Sequence, residues 1–225
     1  MARPEAAGPP VPVVVMARAP DAEPARPQLA ELLGAERYVR TEQILLARAL
    51  AWAAALTPRC VHVAYEPTGD EASVRAAVGA GPALFAQEGD GETRRVAAAA
   101  GRVAATGGGP VLVAWPELAE WRPEHAASAL GDLRAGCDVS VGPVFGGGLY
   151  LLALRGFVPT LFDLPDDTWR SSQAMARLLT AAHAAGLEAG LLRAERGLRT
   201  GADVRAALAD PLLDAELRRL LEAAR

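Results

Sequence analysis

Arg18 and Arg26 stand eight residues apart in a proline-rich stretch. The planar fork of a guanidinium matches two phosphate oxygens at once, so this pair could close on a diphosphate. Two solvated arginines on a loop would look the same in sequence, and that reading stays open. Gln87 and Asp90 lie in a second glycine-bearing polar stretch, and Trp115 follows a short apolar run. Gly146, Gly147 and Gly148 form a third stretch. Without side chains, these could let backbone approach a sugar or phosphate closely, or could simply make a tight turn.

Other chemistries are excluded by what is missing. The chain has 23 basic residues, all arginine, and it has no lysine and no asparagine. A Schiff-base lysine or a phosphate-cradling P-loop lysine is therefore impossible. No glycine fingerprint follows the first apolar run, which leads into Ala17-Arg18-Ala19-Pro20, so a dinucleotide site is not expected there. A G-x-S-x-G nucleophile elbow is absent, and His62, His125 and His183 are scattered without a paired-ligand spacing. Cys60 and Cys137 form no metal-binding pattern and read as small core residues of a reduced cytoplasm. The net charge of −4 argues against a nucleic-acid binder. Residues 11–16 are too short an apolar run for a signal-peptide core or a membrane span. A cytoplasmic protein with no membrane partner is expected.

The elements that must carry these residues alternate. Valine-rich or apolar runs at 11–16, 61–65, 82–86, 111–115, 139–142, 149–154 and 188–193 read as strands. Helical spacing marks 41–56, 70–78, 92–105, 123–135 and 171–185, and two C-terminal helices start near Ala202 and Leu212. Glycine follows several helices, and Pro123 stands in a first turn. Residues 1–10 read as a flexible tail, and residues 11–225 as one domain. The expected fold class is α/β: a three-layer sandwich around a mostly parallel sheet. The glycine break before Leu149, with no helix between two strands, points to one antiparallel strand. In such sheets ligands sit at the carboxyl ends of the strands, where the loops named above fall.

The order of these segments resembles a bacterial family of GT-A-like glycosyltransferases, the selenodomain-associated or arsenosugar-biosynthesis transferases, close in fold to nucleotidyltransferases. The similarity runs from about Val11 to about Leu208. The family's first loop, A-K-A-P-x-P-G-x-x-K-T-R-L, is matched by Ala17-Arg18-Ala19-Pro20 and by Arg26 at the second lysine, while Glu23, Pro27 and Gln28 depart from it. Gln87, Gly89, Asp90, Gly91 and Glu92 follow Q-x-x-G-D-L-G-E-R with one residue deleted. Pro116 and Leu118 follow G-S-D-x-P-x-L, but Ala114 takes the place of the aspartate. Gly142-Pro143, Gly147-Gly148 and Tyr150-Leu151-Leu152 follow G-P-x-x-D-G-G-Y-Y-L-L, with Gly146 at the aspartate. The segment from Gly197 to Val204 follows D-x-D-T-P-x-D-L, with Gly197 and Arg199 at the two leading aspartates.

The resemblance implies a GT-A, nucleotide-diphospho-sugar transferase-like fold and a nucleotide or nucleotide-sugar ligand. It implies a Mg²⁺ or Mn²⁺ cofactor as well, but the carboxylates for one are replaced, so no cofactor is expected. Trp115 and Phe145 suggest a drier pocket. Three functional readings follow. The chain is a metal-independent glycosyl- or nucleotidyl-transferase whose arginines replace the metal. Or it is a catalytically inactive relative serving as a binding or partner subunit, as a homodimer or with a protein partner. Or its re-lined pocket serves another small-molecule reaction. The binding residues expected on the first reading are Arg18, Arg26, Gln87, Asp90, Trp115, Gly146, Gly147 and Gly148.

Overall fold

The computed structural model describes residues 10–20 and 22–222. Nine of the ten residues expected to form an N-terminal tail lie outside them. Seven strands form one sheet: β1 (Val13–Arg18), β2 (Val61–Glu66), β3 (Ala83–Ala86), β4 (Val111–Ala114), β5 (Val139–Pro143), β6 (Leu149–Leu154) and β7 (Ala189–Leu191). Their order is β3-β2-β1-β4-β6-β5-β7. β6 runs antiparallel to both β4 and β5, and the remaining pairs are parallel. The single reversed strand is the one that the glycine break announced. No helix separates β5 from β6, so the chain returns through a glycine turn.

Helices cover both faces. α2 (Ala35–Leu56), α3 (Glu71–Val78) and α5 (Pro123–Ala135) pack on one side, and α4 (Glu92–Gly107) and α6 (Ala174–Ala184) on the other. Strand side chains alternate between the faces, which splits the core in two. Val13, Val15 and Ala17 meet Leu46, Ala49 and Ala53 of α2. Val14 and Met16 meet Val96, Ala99 and Ala100 of α4. A third cluster joins α1 (Pro27–Leu33), α7 (Gly201–Ala209) and α8 (Ala215–Glu222) to α2 through Leu29, Leu33, Leu45 and Val204.

Several boundaries differ from the sequence expectation, and α2 begins six residues early, at Ala35 and not at Thr41. β1 begins and ends two residues late, because its ladder with β2 continues through Ala17–Tyr65 to Arg18–Glu66. Arg18 is therefore a strand-end residue and not a loop residue. α1 lies inside the stretch read as loop; it is seven residues long, starts on a proline, and its Arg26 N-cap makes no side-chain capping bond. The helix expected from Ser171 starts at Ala174, and a 3₁₀ turn at Asp166–Arg170 precedes it. Among the described residues no helix is long and apolar enough to cross a membrane.

The glycine turn is fixed by contact. Gly147 has φ +122°, and a Cβ there would come within 2.7 Å of the Ser171 backbone. The Gly148 N–H donates to Ser171 O at 2.9 Å. Gly147→Ala should destabilise the protein by about 1–3 kcal/mol through strain and overlap. A urea-unfolding midpoint within error of wild type would show that the turn tolerates a side chain.

Candidate functional site

β1 is followed by a crossover outward to β2 and β3, and the chain then returns to place β4 on the other side of β1. This reversal opens a crevice at the carboxyl ends of β1 and β4, the usual ligand position in open α/β sheets. A pocket of about 470 Å³ lies there. Each strand delivers its last residues to it: Arg18 from β1, Glu66 from β2, Gln87 after β3, and Trp115, Pro116 and Glu117 after β4. α2 adds Glu42, and the first turn of α4 adds Glu92. Arg26 and Gln28 come from around the start of α1, Arg170 from the 3₁₀ turn, and Arg199 from the residues before α7.

The charged groups form two sets. In the first, Glu42, Arg26, Glu117 and Arg199 alternate in sign. Arg26 bonds Glu42, lies 3.5 Å from Glu117, and donates to Pro116 O at 2.9 Å. Arg199 Nε donates to the other Glu117 oxygen at 2.8 Å, and its NH1 donates to Gly147 O at 2.9 Å. Both central members are nearly inaccessible to solvent. Burial opposes the charge of Arg26, but Glu117 and Glu42 overcome it and hold its pKa above the ordinary arginine value. Burial likewise would raise Glu117, but Arg26 and then Arg199 overcome it and hold the carboxyl at about 2.

In the second set, Glu66 is the centre. Arg95 Nε lies 3.2 Å from it, Arg170 NH2 3.8 Å and Arg18 NH1 3.9 Å. Arg170 Nε also donates to Glu92 at 3.0 Å.

Local chemistry explains how these groups are held. Asp166 Oδ1 accepts from Thr93 N–H at 3.2 Å, so it caps the amino end of α4 and fixes the turn that carries Arg170. The carboxylate fits because Gly91 has no side chain: a Cβ there would lie 2.0 Å from Asp166 Oδ2. Trp169 is anchored by its Nε1–H to Thr93 Oγ1 at 2.8 Å and stacks on Trp115 at 5.7 Å. Arg199 is positioned by a capping box, in which Thr200 and Asp203 exchange bonds at the start of α7. Asp203 also accepts from the Arg199 N–H at 3.2 Å.

Of the residues expected from sequence, Arg18, Arg26, Gln87 and Trp115 come together in the pocket. Gln87 is a brace: its amide donates to Ala17 O and Ala64 O, tying β3 to the ends of β1 and β2. Asp90 is exposed on the turn before α4 and does not line the pocket. Gly146, Gly147 and Gly148 do not line it either, because the turn points its backbone at Ser171 and Arg199. Gly147 and Gly148 act on the site from behind, since a Cβ on Gly148 would sit 2.5 Å from Arg199 NH2. Glu42, Glu66 and Arg170 were missed; the T-x-x-D spacing at Thr200, not used in the sequence reading, is the local signal that could have shown how Arg199 is held. Each of the four pocket glutamates faces at least one arginine. Among the described residues no cluster of three or more His, Cys, Asp or Glu suits a metal ion.

The fold is that of nucleotide-diphospho-sugar transferase-like and cytidylyltransferase-like structures. The chain belongs to the bacterial family described as "Uncharacterized protein conserved in bacteria (DUF2064)", whose profile matches residues 49–168. A protein from Desulfovibrio desulfuricans G20, provisionally described as a nucleotide-diphospho-sugar transferase, superposes with a TM-score of 0.82 at 21% identity, over 96% of this chain and 95% of that one. A cytidylyltransferase from Leptospira borgpetersenii gives 0.54 at 12% identity, over 96% and 94%. A Mycobacterium sp. strain JC1 homologue of Mycobacterium tuberculosis Rv0371c gives 0.53 at 18%, over 94% and 96%. No curated protein sequence matches the chain.

The depressed Glu117 pKa sets an acid limb. Its folded value of about 2 lies below the ordinary glutamate value of 4.5, so the pair contributes fully above pH 4.5 and is lost as pH falls towards 2. Glu117→Gln removes the anion shared by buried Arg26 and half-buried Arg199, and leaves Arg26 with Glu42 alone. It should cost about 3–5 kcal/mol at pH 7 and flatten the fall in Tm across that window. An unchanged acid limb in the variant would refute this assignment.

Proposed function

We propose that the chain binds a nucleotide or nucleotide sugar in this pocket and acts as a glycosyltransferase-like protein without a bound divalent cation. The observation that carries the reading is the convergence of Arg18, Arg26, Arg170 and Arg199 on one pocket at the switch point of the sheet. A diphosphate needs compensating charge, and more of it as a leaving group, when charge develops on its bridging oxygen. Guanidiniums can supply it. The donor set does not fit a hard divalent cation, which requires several free oxygen ligands. Ala114 and Gly146 offer no side-chain oxygen, Arg199 is itself a cation, and the glutamates are held by arginines. Cys60 and Cys137, both free thiols, suit a reducing cytoplasm.

A second reading, a non-catalytic binding subunit, is favoured by one observation. With each pocket carboxylate facing arginine, none stands free to take a proton from an acceptor. The two readings share the ligand and differ in turnover.

A thermal-shift screen of nucleotide sugars, nucleoside diphosphates and nucleoside triphosphates, each with Mg²⁺, with Mn²⁺ and with EDTA, tests the proposal. At least one ligand should raise Tm equally in EDTA and in metal. No shift with any of them, or a shift seen only with metal, would overturn it. Release of free nucleotide from the bound sugar donor would separate enzyme from binding subunit.

A further inference from the structure

The sheet has two edges, and they are finished differently. β3 is guarded: Pro82 stands at its start, and the Arg102 guanidinium lies 4.4 Å from the centre of the Phe85 ring. β7, at the other edge, is Ala189-Gly190-Leu191, with no proline and no charge.

The ladder with β5 fixes which backbone groups of β7 stay open. Glu188 O accepts from Val139 N–H at 3.2 Å, and Leu192 N–H donates to Val141 O at 2.9 Å. Successive residues of a strand point their backbone groups to opposite sides, so the even-numbered residues bond β5. The N–H and C=O of Ala189 and Leu191 point outward, and among the described residues nothing pairs with them. Side chains alternate as well. Gly190 faces α5, where Asp132 leaves no room for a Cβ. Ala189 and Leu191 are turned to the α6 side, yet both remain exposed, Leu191 by 56%.

We propose that β7 pairs antiparallel with β7 of a second copy of this chain, across a two-fold axis at Gly190, and so joins two seven-stranded sheets into one. With Gly190 opposite its own copy, Ala189 faces the partner's Leu191 on either side of the axis. These are the residues whose backbone groups are open, and each such pair exchanges both of its N–H···O bonds. Leu191 covers the partner's Ala189 on the α6 side. At each end Arg193, whose side chain is 72% exposed and bonded to Glu195, comes beside the partner's exposed Glu188. Opposite charges at both ends and open groups that match themselves fit a second copy of the chain.

Sedimentation velocity of the full chain, from low to high micromolar concentration, is the test. Wild type should pass reversibly from monomer to dimer, and the Ala189 and Leu191 amide hydrogens should exchange more slowly in the dimer. Leu191→Glu changes an exposed position, so it should fold normally and weaken the dimer about tenfold or more. Ala189→Pro removes one outward N–H and should weaken it likewise, since a free edge accepts proline. Ala83→Glu, at an exposed position of the β3 edge, should leave dimerisation unchanged. A wild type that stays monomeric throughout, a dimer as tight in either folded β7 variant, or a dimer lost in Ala83→Glu would each overturn the pairing. The nucleotide reading stands or falls separately, because β7 does not line the pocket.

Discussion

One buried carboxylate ties the pocket together. Glu117 comes from the loop after β4, Arg26 from the residue before α1, and Arg199 from the residues before α7. These segments are far apart in the chain and are brought close by the sheet. Glu117 and Arg26 are buried and Arg199 is half-buried, and removing a partner from a buried charge costs more than the pair contributes. The arrangement therefore favours specificity over raw stability. It fixes where three loops end, and it does so with fully charged groups across the ordinary pH range. Gly147 O and the Thr200–Asp203 cap complete the seat of Arg199, so the glycine turn and α7 share in the same constraint.

Much of the scaffold could be read in the chain because its signals are local. α5 matches its expected bounds, with Pro123 at its first position, and β6 matches residue for residue. The reversed strand followed from a glycine break with no room for a helix. α1 escaped because seven residues starting on a proline, with no capping side chain, leave almost no periodicity to detect. It is held by tertiary packing of Leu29 and Leu33 instead.

The site was legible only in part, for a related reason. Arg18 and Arg26 were visible because they follow the first strand, and position alone put them near a crevice. Their partners were not. Glu117 and Arg199 are 82 residues apart, and nothing within either segment announces the other. Asp90 and the three glycines looked functional because they resembled a motif. The fold uses Gly91, Gly147 and Gly148 for close approach, which is a structural need that produces the same letters. The replaced aspartates said nothing of the glutamates that α2 and β2 send into the same space.

Asp166 links two parts of the molecule that have separate jobs. It caps α4, and it begins the turn that ends in Arg170 at the pocket border. Lifting that turn to admit a large ligand would uncap a sixteen-residue helix packed against β1 and β4. Entry and local unfolding thus draw on the same hydrogen bond. A ligand that leaves the turn in place spares that bond, whereas one that displaces the turn costs it.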